Sequence, residues 1–248
     1  MSKLTITYYH EVVEDGKGAS YQLLDESKFE AQMKYLAESG YTSLFFSELD
    51  KPLPKKPIIV SFDDGFLSVY EKAAPIMEKY GVKGNIYLPT AYIGNDEKFM
   101  TWEQIKNLQD NGLFEVQAHT HNHIDVRTKS EEELAQETEI SNGYFEKELG
   151  YVPVAICLPF GAYDARSIKA LKKVAGYKYI LGSFYGAVTE KGLKKTGALL
   201  PRIGISNDDD METYQKKLQG KLNWKGRLQR LRLWLQSKRK QYVEKYEY

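Results

Sequence analysis

Between residues 4 and 218 the chain alternates between two kinds of stretch. One kind is strand-like, rich in apolar, β-branched and aromatic residues: LTITYY, YTSLFF, KPIIVSF, KGNIYLP, LFEVQAH, VAICLP, YKYILGS and ALLPRIGIS. The other has helical spacing: SKFEAQMKYLAESG, LSVYEKAAPIMEKYG, TWEQIKNLQDNG, SEEELAQETEISNGYFEKELG, DARSIKALKKVAG and DMETYQKKLQG. Local signals bound the helices. Ser27 reads as an N-cap with Gly40 as the stop, Thr101 as a second N-cap, and Ser130 with Glu133 as a capping box. Pro75 should kink its helix or mark its real start. Strands alternating with helices mean parallel strands joined by crossovers. Seven or eight such units favour a closed or nearly closed α/β barrel, and 248 residues is an ordinary length for one.

A barrel gathers its chemistry at the C-terminal ends of its strands. KPIIVSF runs straight into Asp63 and Asp64, then Gly65. LFEVQAH ends at His119, with His121 and His123 just beyond, and LTITYY ends at His10. All four histidines of the chain therefore lie at or just past a strand end. Two carboxylates, a histidine cluster and an isolated histidine should converge on one rim. His119 and His123, four apart, share a side on one helical turn or a tight loop. Two imidazoles and one aspartate supply the three protein ligands of a catalytic divalent metal site, with a position left for water. The second aspartate then has a different task. Alone, HTHNH has a polar loop as its rival reading; its conjunction with FDDG on a barrel argues for the metal.

Net charge is +1, so no global field points to nucleic acid. The single cysteine, Cys157, excludes an intrachain disulfide and a zinc–thiolate cluster. The 19 tyrosines suit sugar stacking and suit a large core equally. MSKLTITYYHEV does not read as a signal peptide, and no stretch approaches the run of about 20 apolar residues of a membrane span. The expectation is a cytoplasmic or peripheral membrane protein, or an extracellular one if a leader has been removed.

SFDDG (61–65) and HTHNH (119–123) resemble the first two signatures of the polysaccharide deacetylases, carbohydrate esterase family four, in order and separation. CLPFGAYD resembles the third motif and MTWEQIKNL the family's usual following helix; the likeness covers roughly residues 5–206. The resemblance implies a distorted (β/α) barrel of about seven parallel strands. It implies Asp63 as general base and Asp64, His119 and His123 as ligands of a divalent metal, zinc above all, with cobalt, manganese or nickel also suited. His121 falls outside that ligand set. The chain departs from the pattern twice. Cys157 stands where the third motif has an arginine, and no histidine follows His123 to serve as the late general acid. Within the family the chain is most similar to the circularly permuted poly-N-acetylglucosamine deacetylases, where an early Tyr-His supplies the acid and the arginine is also lacking. That implies His10 as acid, against a packing role at a strand end. Arg202, in ALLPRIGI, is the candidate to orient Asp63, against a rim salt bridge. On the substrate side the candidates are Phe160, Gly161, Tyr163 and Arg202, with a backbone N–H near Phe160 or Gly161 for the oxyanion. Tyr87, Trp102 and Phe184 are further aromatics that read more readily as core.

Residues 221–248 differ from the rest. Trp224, Leu228, Leu231 and Leu235 fall on one helical face, and residues 221–240 hold eight Lys or Arg and no acid. A basic amphipathic helix can lie on an anionic membrane, or its apolar face can pack on the barrel. The expected organisation is thus a barrel over 1–220 and a C-terminal helix over 221–248. The expected function is metal-dependent removal of N-acetyl groups from an N-acetylglucosamine-containing glycan. The alternatives are an O-acetyl esterase of the same fold and an inactive glycan-binding barrel.

Overall fold

The computed structural model describes residues 2–19, 22–174, 176–195, 197–229 and 231. Strand β1 (Lys3–Tyr9) opens the chain, and β2 (Glu11–Val13) and β3 (Leu23–Asp25) form a small parallel pair beside it. Then follow α1 (Glu26–Glu38), β4 (Thr42–Ser43), β5 (Pro57–Phe62), α2 (Ala74–Tyr80), β6 (Gly84–Leu88), α3 (Trp102–Asp110) and β7 (Phe114–Ala118). The second half holds α4 (Glu131–Leu149), β8 (Ala155–Cys157), α5 (Ala165–Val174), β9 (Tyr179–Leu181), β10 (Val188–Thr189), α6 (Glu190–Leu193), β11 (Ala198–Leu200), β12 (Ile203–Gly204) and α7 (Met211–Leu218).

The main sheet runs β10-β1-β5-β6-β7-β8-β9-β11, with β4 on β5 and β12 on β1. All its pairings are parallel except β1 with β10. One segment draws the sheet round. Residues 198–200 pair with β9, and two residues later Ile203 and Gly204 pair with Thr7 and Tyr8 of β1. The result is the nearly closed α/β barrel expected. ALLPRIGIS is not one strand, because Pro201 cannot donate to a ladder and the pairing changes partner there.

Two local expectations shift and two hold. YTSLFF is strand only at Thr42–Ser43 and then turns into a 3-10 segment at Phe46–Glu48. Helix α1 begins at Glu26 rather than after Ser27, whose N–H donates to the Asp15 carboxylate (2.9 Å) instead of lying outside the helix. Pro75 does mark a start: residues 69–73 form a π turn, and α2 follows with the proline in its first turn. The capping boxes at Thr101 and Ser130 form as read.

Strand parity sorts the core into two layers. Ile58, Val60 and Phe62 pack under the helices with Ile86, Leu88, Val116 and Ala118. Ile59, Leu4, Ile6, Tyr87, Ala155 and Cys157 fill the barrel interior. Every residue of β5 is buried, as befits a strand covered on both faces. Counting by twos from the interior residues, Leu4 and Ile6 lead to Tyr8 and His10, and Ile59 leads to Ser61 and Asp63. The interior of the barrel thus opens onto the polar residues of the strand ends. No helix among the described residues is long and apolar enough to cross a membrane.

Candidate active site

Asp63 continues the inward parity of β5, and its N–H donates to the Tyr9 carbonyl (3.0 Å), which locks it to the end of β1. Asp64 would point the other way, but its φ is +71°, and Gly65 follows at +72°. Only glycine fits at 65, since a Cβ there would lie 2.6 Å from Leu88 Cδ2. This left-handed turn brings the Asp64 carboxylate back over the rim. On the next strands, His119 follows β7 and is buried. Thr120 (φ +65°) and His123 (φ +53°) are also left-handed, so the loop folds His123 back onto His119, ring centroids 4.9 Å apart. Glu137 of α4 holds the loop by accepting the N–H groups of His121 and Asn122 and the Asn122 side-chain amide.

Arg202 lies between β11 and β12 and reaches inward from the closing segment. Its Nη1 donates to Asp63 Oδ1 (2.6 Å) and its Nη2 to Oδ2 (2.9 Å), a two-pronged fork. Both side chains are buried, Arg202 at 1% exposure. The guanidinium lies 4.5 Å from the Tyr8 ring and 5.1 Å from the Tyr87 ring. Burial alone would raise the Asp63 pKa, but the Arg202 charge and its hydrogen bonds outweigh it and hold the carboxyl below the usual range. Asp63 is therefore an ionised acceptor.

Asp64 Oδ1 lies 3.4 Å from His119 Nε2 and 3.3 Å from His123 Nε2. His119 Nδ1 is 2.9 Å from the Cys157 carbonyl oxygen, which can only accept, so Nδ1 carries a proton and Nε2 is the nitrogen left to face a cation. Asp64 Oδ1 is buried and accepts no hydrogen bond. An orphaned carboxylate oxygen facing two imidazole nitrogens fits a divalent cation held by Asp64, His119 and His123. A second set, Asp63, His119 and Cys157, also draws together. It does not suit a cation: Arg202 occupies both Asp63 oxygens, and burial pushes the Cys157 thiol pKa up, keeping it neutral.

A cleft of about 260 Å³ opens over these groups, lined by His10, Asp63, Asp64, His119, His123, Phe160, Gly161, Tyr8, Gln22, Leu158 and Ser183. His10 Nε2 stands 4.0 Å from Asp64 Oδ2. Burial lowers the His10 pKa by more than the Asp63 and Asp64 charges raise it. Phe160 sits at the mouth, 71% exposed with φ +59°, its ring 4.6 Å from that of His123.

The family model for polysaccharide deacetylases matches residues 50–180. The chain belongs to the polysaccharide deacetylase family. Among curated proteins it is similar to the poly-beta-1,6-N-acetyl-D-glucosamine N-deacetylase of Staphylococcus aureus, 27% identical over 202 residues, 75% of this chain and 68% of that enzyme. The chain spans about two thirds of the length of the curated relatives it matches. Among solved structures it is similar to BC0361, a polysaccharide deacetylase from Bacillus cereus, at 27% identity and TM-score 0.77, over 87% of this chain and 69% of that one. The Streptococcus pyogenes deacetylase PplD, in complex with acetate, shares the fold at 23% identity and TM-score 0.77, over 87% of this chain and 98% of that one.

As a polysaccharide deacetylase the chain departs from its family's third motif at Cys157. The structure brings Arg202 from the closing segment to Asp63, and the Cys157 Sγ lies 3.8 Å from Asp63 Oδ2. Arg202 is thus buried behind Asp63 and not in the cleft, which corrects its expected place on the substrate side. Tyr163 is likewise not brought to the cleft: it packs against the core, 6.2 Å from the Phe184 ring. The Gly161 N–H is taken by the Leu158 carbonyl (3.0 Å), so it does not face an oxyanion. Gly161 still matters sterically, since its φ is +60° and a Cβ there would lie 2.6 Å from Ser183 Cβ. Tyr87 and Phe184 are buried, and Trp102 stacks on Tyr144. His121 lies outside the ligand set, 2.8 Å from Thr90 Oγ1. Tyr8, Gln22 and Ser183 line the cleft and carry no motif. Tyr8 was findable, because a residue two before His10 shares its face of the strand.

Proposed function

We propose that this chain is a metal-dependent N-deacetylase of N-acetylglucosamine-containing glycan, with Asp63 as base and His10 as acid. The observation that supports it most is one cleft holding an arginine-locked carboxylate, an orphaned Asp64–His119–His123 set and a histidine beyond them. The likeness to a poly-beta-1,6-N-acetyl-D-glucosamine N-deacetylase supports the substrate class. A divalent cation at Asp64, His119 and His123, most suitably zinc, supplies Lewis acidity and lowers the pKa of water.

The chain's own residues carry the protons. Asp63, kept ionised by Arg202, accepts a proton from the water that attacks the acetamide carbonyl. An amine leaves poorly until it is protonated, and His10, a stronger acid for its lowered pKa, donates to that nitrogen. Exposed Phe160 offers an apolar face to the sugar ring at the mouth. Acetate and a free amine result.

The test is acetate release from a β-1,6-linked N-acetylglucosamine oligomer by metal-stripped protein, with and without added zinc. Zinc-dependent release, reduced about 100-fold or more in Asp63→Asn, supports the reading. Zinc bound one per chain without release rejects the substrate, and neither binding nor release favours an inactive barrel.

A further inference from the structure

Of the expected C-terminal helix, residues 224–229 are helical, residue 231 is described, and 232–248 lie outside the described residues. The seat of this helix is specific. A Cβ at Gly226 would lie 1.8 Å from the Tyr185 carbonyl oxygen, so only glycine permits this approach. The Tyr185 N–H donates to the Gln229 side chain (3.0 Å), and Lys217 and Lys225 stand over the Tyr185 ring at 5.9 and 5.7 Å. The face turned to the barrel is therefore Lys225, Gly226 and Gln229. The face turned outward holds Trp224, Leu228 and Leu231, exposed by 57%, 47% and 51%. Spacings of four and three place them on one stripe. This reverses the usual arrangement of a surface helix: among the described residues the apolar side chains do not pack on the barrel, and Leu235 lies outside the described residues.

An occupant must cover this stripe, and charge decides which. Residues 221–240 carry eight Lys or Arg and no acid, whereas acids outnumber bases in the rest of the chain. Arg227 lies exposed beside the stripe, with Lys221 just ahead of it. A second copy docked face to face would set two like-charged patches against each other, because a two-fold interface pairs the same surface with itself. An anionic bilayer takes both features at once: tryptophan and leucine at the headgroup boundary, and lysine and arginine on the lipid phosphates.

We propose that the Trp224–Leu228–Leu231 stripe docks the protein onto an anionic lipid bilayer. The helix sits on Tyr185, two residues along the chain from the cleft-lining Ser183. The proposal goes beyond the deacetylase reading and does not depend on it.

The test is flotation of the full chain with vesicles of phosphatidylcholine and phosphatidylglycerol, and with phosphatidylcholine alone. Binding to the anionic vesicles, weakened by salt and absent from the neutral ones, is expected. The variant Trp224→Ser/Leu228→Ser/Leu231→Ser changes only exposed positions and should lose at least ten-fold in binding, as should Lys221→Gln/Arg227→Gln. Acetate release from a soluble oligomer should stay at the parent level in both, which separates this proposal from the deacetylase reading. Absence of vesicle binding, or binding that the serine variant leaves unchanged, would overturn it. So would a dimer in vesicle-free solution that the serine variant dissociates, which would assign the stripe to a second copy.

Discussion

Asp63 and Arg202 form a pair whose partners depend on each other unequally. Arg202 keeps its charge anywhere, but Asp63 stays ionised inside the barrel only because the fork offsets its burial. A group whose folded pKa is depressed contributes stability above its unfolded pKa, and that contribution is lost as pH falls through the folded pKa. Arg202→Met should cost about 3–5 kcal/mol in urea unfolding, since it leaves a buried carboxylate without its partner. It should also move the acid limb of the kcat/KM profile to higher pH, because only the His119 and His10 charges then oppose the burial of Asp63. Arg202→Lys restores a charge but not the two-pronged fit. Its limb should return toward the parent's while kcat/KM remains about 100-fold low, the scale of a misplaced catalytic group. An unmoved acid limb in Arg202→Met would show that Asp63 is not the group titrating. His10 has a different signature. His10→Ala should abolish amide turnover while sparing an activated acetyl ester, whose leaving group needs no proton; equal losses on both would remove His10 from the role of acid.

At the scale of elements, the left-handed loop after β7 depends on a helix it does not belong to. Among the described residues, Glu137 is the acceptor of both the His121 and Asn122 N–H groups. Without it these donors turn to water and the loop that carries His123 loosens. Glu137→Ala should weaken zinc binding by about 10–100-fold, measured by competition with a chelator, as loss of a supporting partner typically does. Unchanged affinity would mean that Thr120 and His123 hold their left-handed geometry unaided. This dependence was not legible in the sequence: Glu137 is one of several glutamates on α4, and nothing in its spacing ties it to a loop fourteen residues earlier. The strand ends were legible, because parity and the C-terminal rim of a barrel together locate His10, Asp63 and His119 before any fold is seen. Without the family resemblance Asp64 was legible only as a second carboxylate, since its direction rests on a backbone φ of +71° at the residue before Gly65. Tyr163 was misjudged because proximity to a rim motif says nothing of which way a loop residue turns.

At the scale of the whole molecule, the metal set is assembled from two strands that the barrel makes neighbours only through β6. Asp64 leaves β5, whereas His119 and His123 leave β7. The three donor atoms come together only when the sheet has curved, so an unfolded chain offers no comparable site. A ligand that binds the folded state alone stabilises it by mass action, by about 2.7 kcal/mol at a free concentration 100 times Kd. For a chain of this size about 1 kcal/mol corresponds to roughly 2–4 °C in melting temperature. Zinc added to stripped protein should therefore raise Tm by about 5–10 °C in calorimetry. Asp64→Asn removes the anionic donor that the histidines face, so it should gain little from zinc. Asp63→Asn, whose side chain belongs to the arginine fork, should keep most of the zinc-induced rise while losing activity. If zinc instead raised the Tm of Asp64→Asn as much as the parent's, the ion would be bound elsewhere, and the division of labour between the two neighbouring aspartates would fall.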